Sequence, residues 1–250
     1  MTAEESFEVT PSDGIPPNTF PPGKNNIFTA SGEVSGKQGV DGYELQIEID
    51  NVLVKPSQLD RSKPSLKTLG KIVALYAKSK GFYGTVVVTN REGSGAAFYA
   101  NGVLTVRKSS FEEGFFDNVN NLKSALDHEI GHFHEPTSVR ANYQFKDHFA
   151  IYLLQASSPD FKHTTDELKI NNSNQYINRV LNSSQAHEVG MNNDGIIEAI
   201  NKYNLENTGK VIITNPVFSM NIAGFEFTTK INGVEKTNYF KYEKLNLPSD

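Results

Sequence analysis

Two histidines and a glutamate occur together in the stretch His128-Glu129-Ile130-Gly131-His132. On an α-helix, residues four apart lie on one face with Cβ atoms about 5 to 6 Å apart, so both imidazoles can reach one zinc ion. Glu129 lies beside them, close enough to reach a metal-bound water without binding the metal itself. The spacing therefore predicts a zinc site with His128 and His132 as ligands and a carboxylate next to them.

The composition restricts the chemistry of such a site and the partners of the chain. The 250 residues include no Cys, which excludes disulfides, thiolate zinc sites and a cysteine nucleophile. A transition-metal site must then use histidines and carboxylates. With 24 Lys plus Arg against 29 Asp plus Glu, the net charge is -5. This balance gives no electrostatic footprint for nucleic acid, so we expect no nucleic-acid partner.

The N-terminal sequence bears on the route by which the chain reaches its target. Residues 1–14 are acidic and have neither a basic segment nor an apolar segment of the kind found in secretory signals. No stretch approaches the roughly 20 apolar residues that cross a bilayer. We therefore expect cytoplasmic synthesis without a signal peptide, no membrane span, and any export by a different route.

Changes of composition suggest three regions. Residues 1–40 are rich in Pro and Gly and sustain no period of 2 or 3.6, which predicts a flexible arm. Alternation of apolar and polar residues begins at Tyr43, where folded structure is expected to start. We predict a main domain at 41–208 and a β-rich extension at 209–250.

The order of predicted elements indicates an α+β fold. Before the histidine motif we predict a helix at 64–81, a strand at 83–89, a hairpin of 96–100 with 103–107 around Asn101-Gly102, and a helix from 117 or 118 to 133. After it we predict a helix at 138–156, short helices at 165–170, 175–181 and 195–203, a strand at 210–214, and a hairpin of 225–231 with 234–242 around Asn232-Gly233. The motif thus lies on a helix that follows a hairpin.

This arrangement over residues 43–157 resembles the zincin metallopeptidases. The resemblance implies a small mixed or antiparallel sheet, an active-site helix carrying the motif, and a following helix that supplies a third ligand. It also implies that His128 and His132 bind zinc, that Glu129 is the general base that activates a zinc-bound water, and that the strand at 103–107 is the edge on which a peptide substrate lies.

The third ligand is open between residues on or near the following helix. No Glu occurs between Glu135 and Glu167, whereas Asp147 and His148 are adjacent. Asp147 is favoured because it shares an inward stripe with apolar residues of the predicted helix. His148 is the close alternative, and His134 can join only if the first helix has ended before it. For stabilisation of the oxyanion the donors available are Tyr143, Tyr152, His148 and His163.

A narrower resemblance is carried by 147–155, Asp-His-Phe-Ala-Ile-Tyr-Leu-Leu-Gln, and by 158–164, Ser-Pro-Asp-Phe-Lys-His-Thr. These segments are similar to the region after the motif in metallopeptidase toxin domains of bacterial polymorphic, RHS-type toxins. The resemblance implies a secreted effector that hydrolyses a protein or peptide substrate, is exported by a specialised secretion machinery, and has an immunity protein as a partner.

Two other functions remain open at the level of sequence. The chain could be a non-catalytic binding protein on a zincin-like scaffold, with 209–245 recognising a partner. It could also be a metal-dependent amidase acting on the cell wall. An intact Glu129 favours an enzyme, because a structural zinc site needs no general base.

Overall fold

The computed structural model describes residues 6–9, 26–35, 37, 43–59, 66–93, 95–136 and 144–241. The chain divides into two compact units, 1–134 and 135–250. Part of the predicted arm and the predicted start of the helix at 138 lie outside the described residues. The architecture confirms the expected α+β class, with small sheets, helices and a C-terminal β-hairpin.

The first unit contains two small sheets and three α-helices within its described residues. In chain order the elements are β1 (Ser6–Val9), β2 (Ile27–Thr29), β3 (Gln46–Ile49), β4 (Val52–Val54), α1 (Leu66–Ser79), β5 (Thr85–Thr89), β6 (Ala97–Ala100), β7 (Val103–Arg107), α2 (Ser109–Glu112) and α3 (Val119–His134). The larger sheet has the order β1-β5-β7-β6, and the smaller sheet has the order β2-β3-β4. Strands β1 and β2 fall within the range for which the sequence predicted an arm.

The hairpin of β6 and β7 forms as the sequence predicts. Asn101 and Gly102 have φ values of 51° and 83°, the left-handed conformation that a tight two-residue turn requires. Strand β7 pairs antiparallel with β6 on one side and parallel with β5 on the other. Among the described strands, β6 is therefore an edge strand of this sheet.

This strand order corrects one expectation. The expected substrate-binding edge at 103–107 is wrong, because β7 is a central strand whose residues from Leu104 to Arg107 are buried. The hairpin folds outward, so its first strand, Ala97–Ala100, forms the edge. Nothing in the hairpin's own sequence distinguishes these arrangements, because the choice depends on which of its strands pairs with β5.

Helix α3 is fixed by the apolar face that it buries. Val119, Leu122, Leu126 and Ile130 recur every three or four residues and belong to the hydrophobic core of the first unit. Full burial of each such aliphatic side chain contributes about 1.5 to 3 kcal/mol. A rotation of the helix about its axis would expose these side chains, so the core determines where the neighbouring polar residues point.

The second unit consists of three helices and an antiparallel sheet among its described residues. Its elements are α4 (Phe145–Ser157), α5 (Asp166–Gln185), α6 (Asn193–Glu206), β8 (Ile212–Ile213), β9 (Val217–Ser219), β10 (Gly224–Ile231) and β11 (Val234–Lys241). Strand β10 pairs with β8, β9 and β11. The turn between β10 and β11 has positive φ at Asn232 and Gly233, as the second Asn-Gly pair predicts. No helix among the described residues is long and apolar enough to cross a membrane.

Helix α5 differs from the expectation of two short helices at 165–170 and 175–181. It runs without interruption over 20 residues. Asparagine favours turns in isolated sequence, but Asn172 is held within this helix by tertiary contacts. Asn172 donates to the side chain of Gln155 at 2.7 Å and accepts from the Tyr203 hydroxyl at 2.8 Å, both in buried surroundings. These contacts join α5 to α4 and α6.

Candidate metal site

The two histidines of the motif lie side by side on α3. His128 is buried and His132 is partly buried, and their ring centroids are 5.0 Å apart. Both are on the helix that the core holds in place, so their imidazoles share one face as the spacing predicts. The motif is therefore on a helix in the structure.

Glu129 occupies the environment that a proton-transferring carboxyl group needs. Its side chain is buried, and this burial raises its pKa from 4.5 to about 7. The backbone N–H of Tyr99, on the edge strand β6, donates a hydrogen bond to the carboxylate and opposes the rise of the pKa. A carboxyl group with a pKa near the working pH can both accept and release a proton, which general acid–base catalysis requires.

The raised pKa of Glu129 has a consequence for the stability of the metal-free protein. Well below pH 4.5 the carboxyl group is protonated in both the folded and the unfolded state, so it does not change the free energy of unfolding. Between pH 4.5 and about 7 the unfolded chain ionises first, so folding becomes less favourable. We expect metal-free Glu129→Gln to exceed wild type in free energy of unfolding by about 3 kcal/mol at pH 8, with the excess disappearing near pH 4.5.

Urea unfolding of both proteins in the presence of a chelator, at pH 4.5 and pH 8, measures this difference. Glu113→Gln changes the same functional group at an exposed position and serves as the control for a loss of charge away from the motif. A Glu129→Gln excess that is the same at both pH values would contradict the assignment of the pKa.

Asp127, which precedes the first histidine, makes an ion pair inside the first unit. Its carboxylate lies 2.5 Å from the Nζ atom of Lys80, which follows α1, and both side chains are largely shielded from solvent. The contact with Lys80 connects the motif helix to the end of α1.

The residues considered for the third ligand differ in their surroundings. Asp147 and His148 both lie in the first turn of α4, and the His148 ring stacks on Tyr152 at a centroid distance of 5.1 Å. Burial raises the pKa of Asp147, Lys146 lowers it, and the carboxylates of Glu135 and Glu188 raise it further.

The two histidines of α3 form a pair of imidazoles that could bind one metal ion together. The candidates for a third ligand on α4, Asp147 and His148, belong to the second compact unit. His134 is exposed and still helical, two residues beyond His132, which directs it to another side of α3.

The candidate donors for the oxyanion also have different positions. Tyr152 is partly buried and carries the stacked His148 ring. His163 is exposed at the end of a 3₁₀ helix, Phe161–His163. Tyr143 lies outside the described residues. This assignment therefore stays open.

Comparison with known proteins connects this geometry to a family. A family model described as metallopeptidase toxin 2 matches residues 28–212, which is well over half of the chain and contains both the motif helix and α4. No curated protein and no solved structure matches the chain. The extent of the family match confirms the resemblance to metallopeptidase toxin domains, and the chain belongs to the metallopeptidase toxin 2 family.

Proposed function

We propose that the chain is a zinc-dependent peptidase that hydrolyses peptide bonds in a protein substrate and acts as a secreted effector toxin. The family makes it a metallopeptidase toxin domain, which implies a metal ion and a protein substrate. The observation that carries the finer proposal is the buried Glu129 beside the paired imidazoles of α3. A buried carboxyl group of raised pKa beside paired imidazoles is typical of a catalytic site.

The paired histidines of α3 fit a zinc ion by the chemistry of their donors. Imidazole nitrogen is a preferred zinc ligand, and a site with three histidines leaves a coordination position open, as a catalytic site requires. We propose His128, His132 and His148 as the residues that hold the ion, supported by the paired imidazoles of α3 and by the raised pKa of Asp147, which opposes the ionisation that metal binding requires. Asp147 remains the alternative third ligand.

A bound zinc ion would polarise the peptide carbonyl and lower the pKa of a water molecule. The protein's own contribution to the reaction is assigned to Glu129. Its carboxylate accepts the proton of the attacking water and, once protonated, delivers this proton to the nitrogen of the leaving amine. Burial keeps bulk water from the carboxylate, and the Tyr99 N–H group fixes one of its orientations.

We propose that the substrate binds as an extended chain along β6. This strand ends the sheet among the described strands, and an extended peptide can add to such an edge through main-chain hydrogen bonds. Tyr99 lies on β6 and its backbone contacts Glu129, so a peptide paired with this strand would run past the general base. A substrate bound along β6 would therefore lie close to Glu129, where the proton is transferred.

The toxin family also supports a proposal about delivery and control. We propose that a specialised secretion machinery exports the protein and that an immunity protein protects the producing cell by binding it.

Metal removal tests the peptidase proposal. We expect treatment with a chelator to abolish hydrolysis of an unfolded protein substrate, and stoichiometric Zn²⁺ to restore it, because polarisation of the peptide carbonyl is assigned to the zinc ion. Hydrolysis of the substrate followed by mass spectrometry of its fragments measures this. Full activity in the metal-free protein, or cleavage of cell-wall peptide links in place of protein, would contradict the proposal.

A further inference from the structure

The start of helix α4 is capped by a residue distant in sequence. The backbone N–H of Phe145 donates to Oε1 of Glu188 at 2.8 Å, and the N–H of Lys146 donates to Oε2 of the same carboxylate at 3.0 Å. The residue at the N-cap position, Gln144, makes no side-chain cap hydrogen bond. The carboxylate of Glu188 therefore caps the N-terminus of α4 in place of a side chain at the N-cap position.

Glu188 is itself held by the end of α5. The hydroxyl of Ser183, which is fully buried, donates to its carboxylate, and the Glu188 N–H donates to the Ser183 carbonyl at 3.1 Å. The intervening His187 has a φ of 54°, a left-handed conformation that turns the chain back toward α4. No local sequence pattern connects Glu188 with α4, because the two segments are about 40 residues apart.

We propose that Glu188 is a positioning residue for the metal site, which rests on the function proposed above. The first N–H groups of a helix have no partner within the helix, and its N-terminus carries partial positive charge. A carboxylate that accepts from two of these groups fixes the first turn. His148 is the fourth residue of α4, so Glu188 fixes the backbone that presents its imidazole.

The proposed role of Glu188 is the same whether Asp147 or His148 binds the metal. Asp147 and His148 both belong to the turn that Glu188 caps. The later turns of α4 have other attachments. Asn172 donates to the Tyr152 carbonyl at 3.3 Å, and Thr208 donates to the Ser158 carbonyl at 2.7 Å. Loss of Glu188 should therefore loosen the first turn while the rest of α4 remains in place.

The test compares Glu188→Ala with Asn192→Ala in the full chain. Asn192 caps α6 by accepting from the Gly195 N–H at 3.0 Å, so its substitution also removes a helix cap, but from a helix without a candidate ligand. Zinc affinity is measured by competition with a chromogenic chelator, and ligand geometry by the visible spectrum of the Co²⁺-substituted protein. Hydrogen exchange of the metal-free protein reports the order of the first turn of α4.

We expect Glu188→Ala to weaken zinc binding by about 10- to 100-fold, the range for loss of a group that orients a ligand. Its Co²⁺ spectrum should change, and exchange at Phe145 and Lys146 should accelerate. Glu188→Gln keeps one acceptor oxygen and should recover part of the affinity, and it carries the test if Glu188→Ala does not fold. Asn192→Ala should bind zinc within about twofold of wild type.

Two results would overturn the proposal. One is wild-type zinc affinity and Co²⁺ spectrum in Glu188→Ala, and the other is an equal loss of affinity in Asn192→Ala. Both leave the peptidase function intact, since wild type still binds zinc. Absence of zinc binding by wild type would instead overturn the proposed function and this role together.

Discussion

Glu129→Gln is expected to reduce peptide hydrolysis by about 10²- to 10⁴-fold, the contribution typical of a positioned general base. The amide has nearly the same shape as the carboxyl group and retains an oxygen that can accept from the Tyr99 N–H, but it cannot take up a proton from water. Initial rates on a fluorogenic peptide, with equal zinc loading of both proteins, measure the loss. The loss should be in kcat, because the proton is transferred only as the reaction proceeds.

A matched control separates this effect from a general change of charge. Glu113→Gln makes the same substitution at an exposed position before α3 and should leave the rate unchanged. Zinc content must be equal in wild type and both variants, because Glu129 is not assigned as a ligand. A Glu129→Gln protein that keeps more than a tenth of the wild-type rate would remove Glu129 from the role of general base.

His148→Ala is expected to raise the zinc dissociation constant by more than about 100-fold, because loss of a direct ligand exceeds the effect of losing an outer group that orients one. The reason is its proposed role as the third imidazole ligand of the ion. Asp147→Ala, the substitution of the adjacent residue, should leave the dissociation constant within about threefold of wild type. Chelator competition at one pH gives both values.

The opposite pattern would reverse the assignment of the third ligand. Strong loss of zinc in Asp147→Ala, with His148→Ala near wild type, would establish the aspartate that the sequence pattern favoured. Asp147 has a raised pKa in the metal-free protein, so zinc would then have to displace a proton from it more often than from an ordinary carboxyl group.

The motif helix and both hairpins could be predicted because their signals are local. The core positions of α3 recur at helical spacing, and Asn101-Gly102 and Asn232-Gly233 supply the positive φ values of their turns. The spacing of His128 and His132 needs only a helix to place two imidazoles together. These features depend on residues close together in sequence.

The features that sequence did not reveal depend on contacts between distant segments. Whether β6 or β7 forms the sheet edge depends on the pairing of β7 with β5, and the continuity of α5 depends on the buried contacts of Asn172. Capping of α4 by Glu188 joins residues about 40 positions apart. The choice between Asp147 and His148 stays a prediction, because the two residues are adjacent in the chain and share the first turn of α4.

The most direct test of the account is the zinc content of the purified protein by elemental mass spectrometry, with His132→Ala for comparison. We predict about one zinc ion per chain in wild type, because the proposed ligands make up a single site around the paired imidazoles of α3, and none in His132→Ala. Wild-type protein without zinc, even after incubation with excess metal, would contradict the account and favour a binding protein in which the motif has no catalytic role.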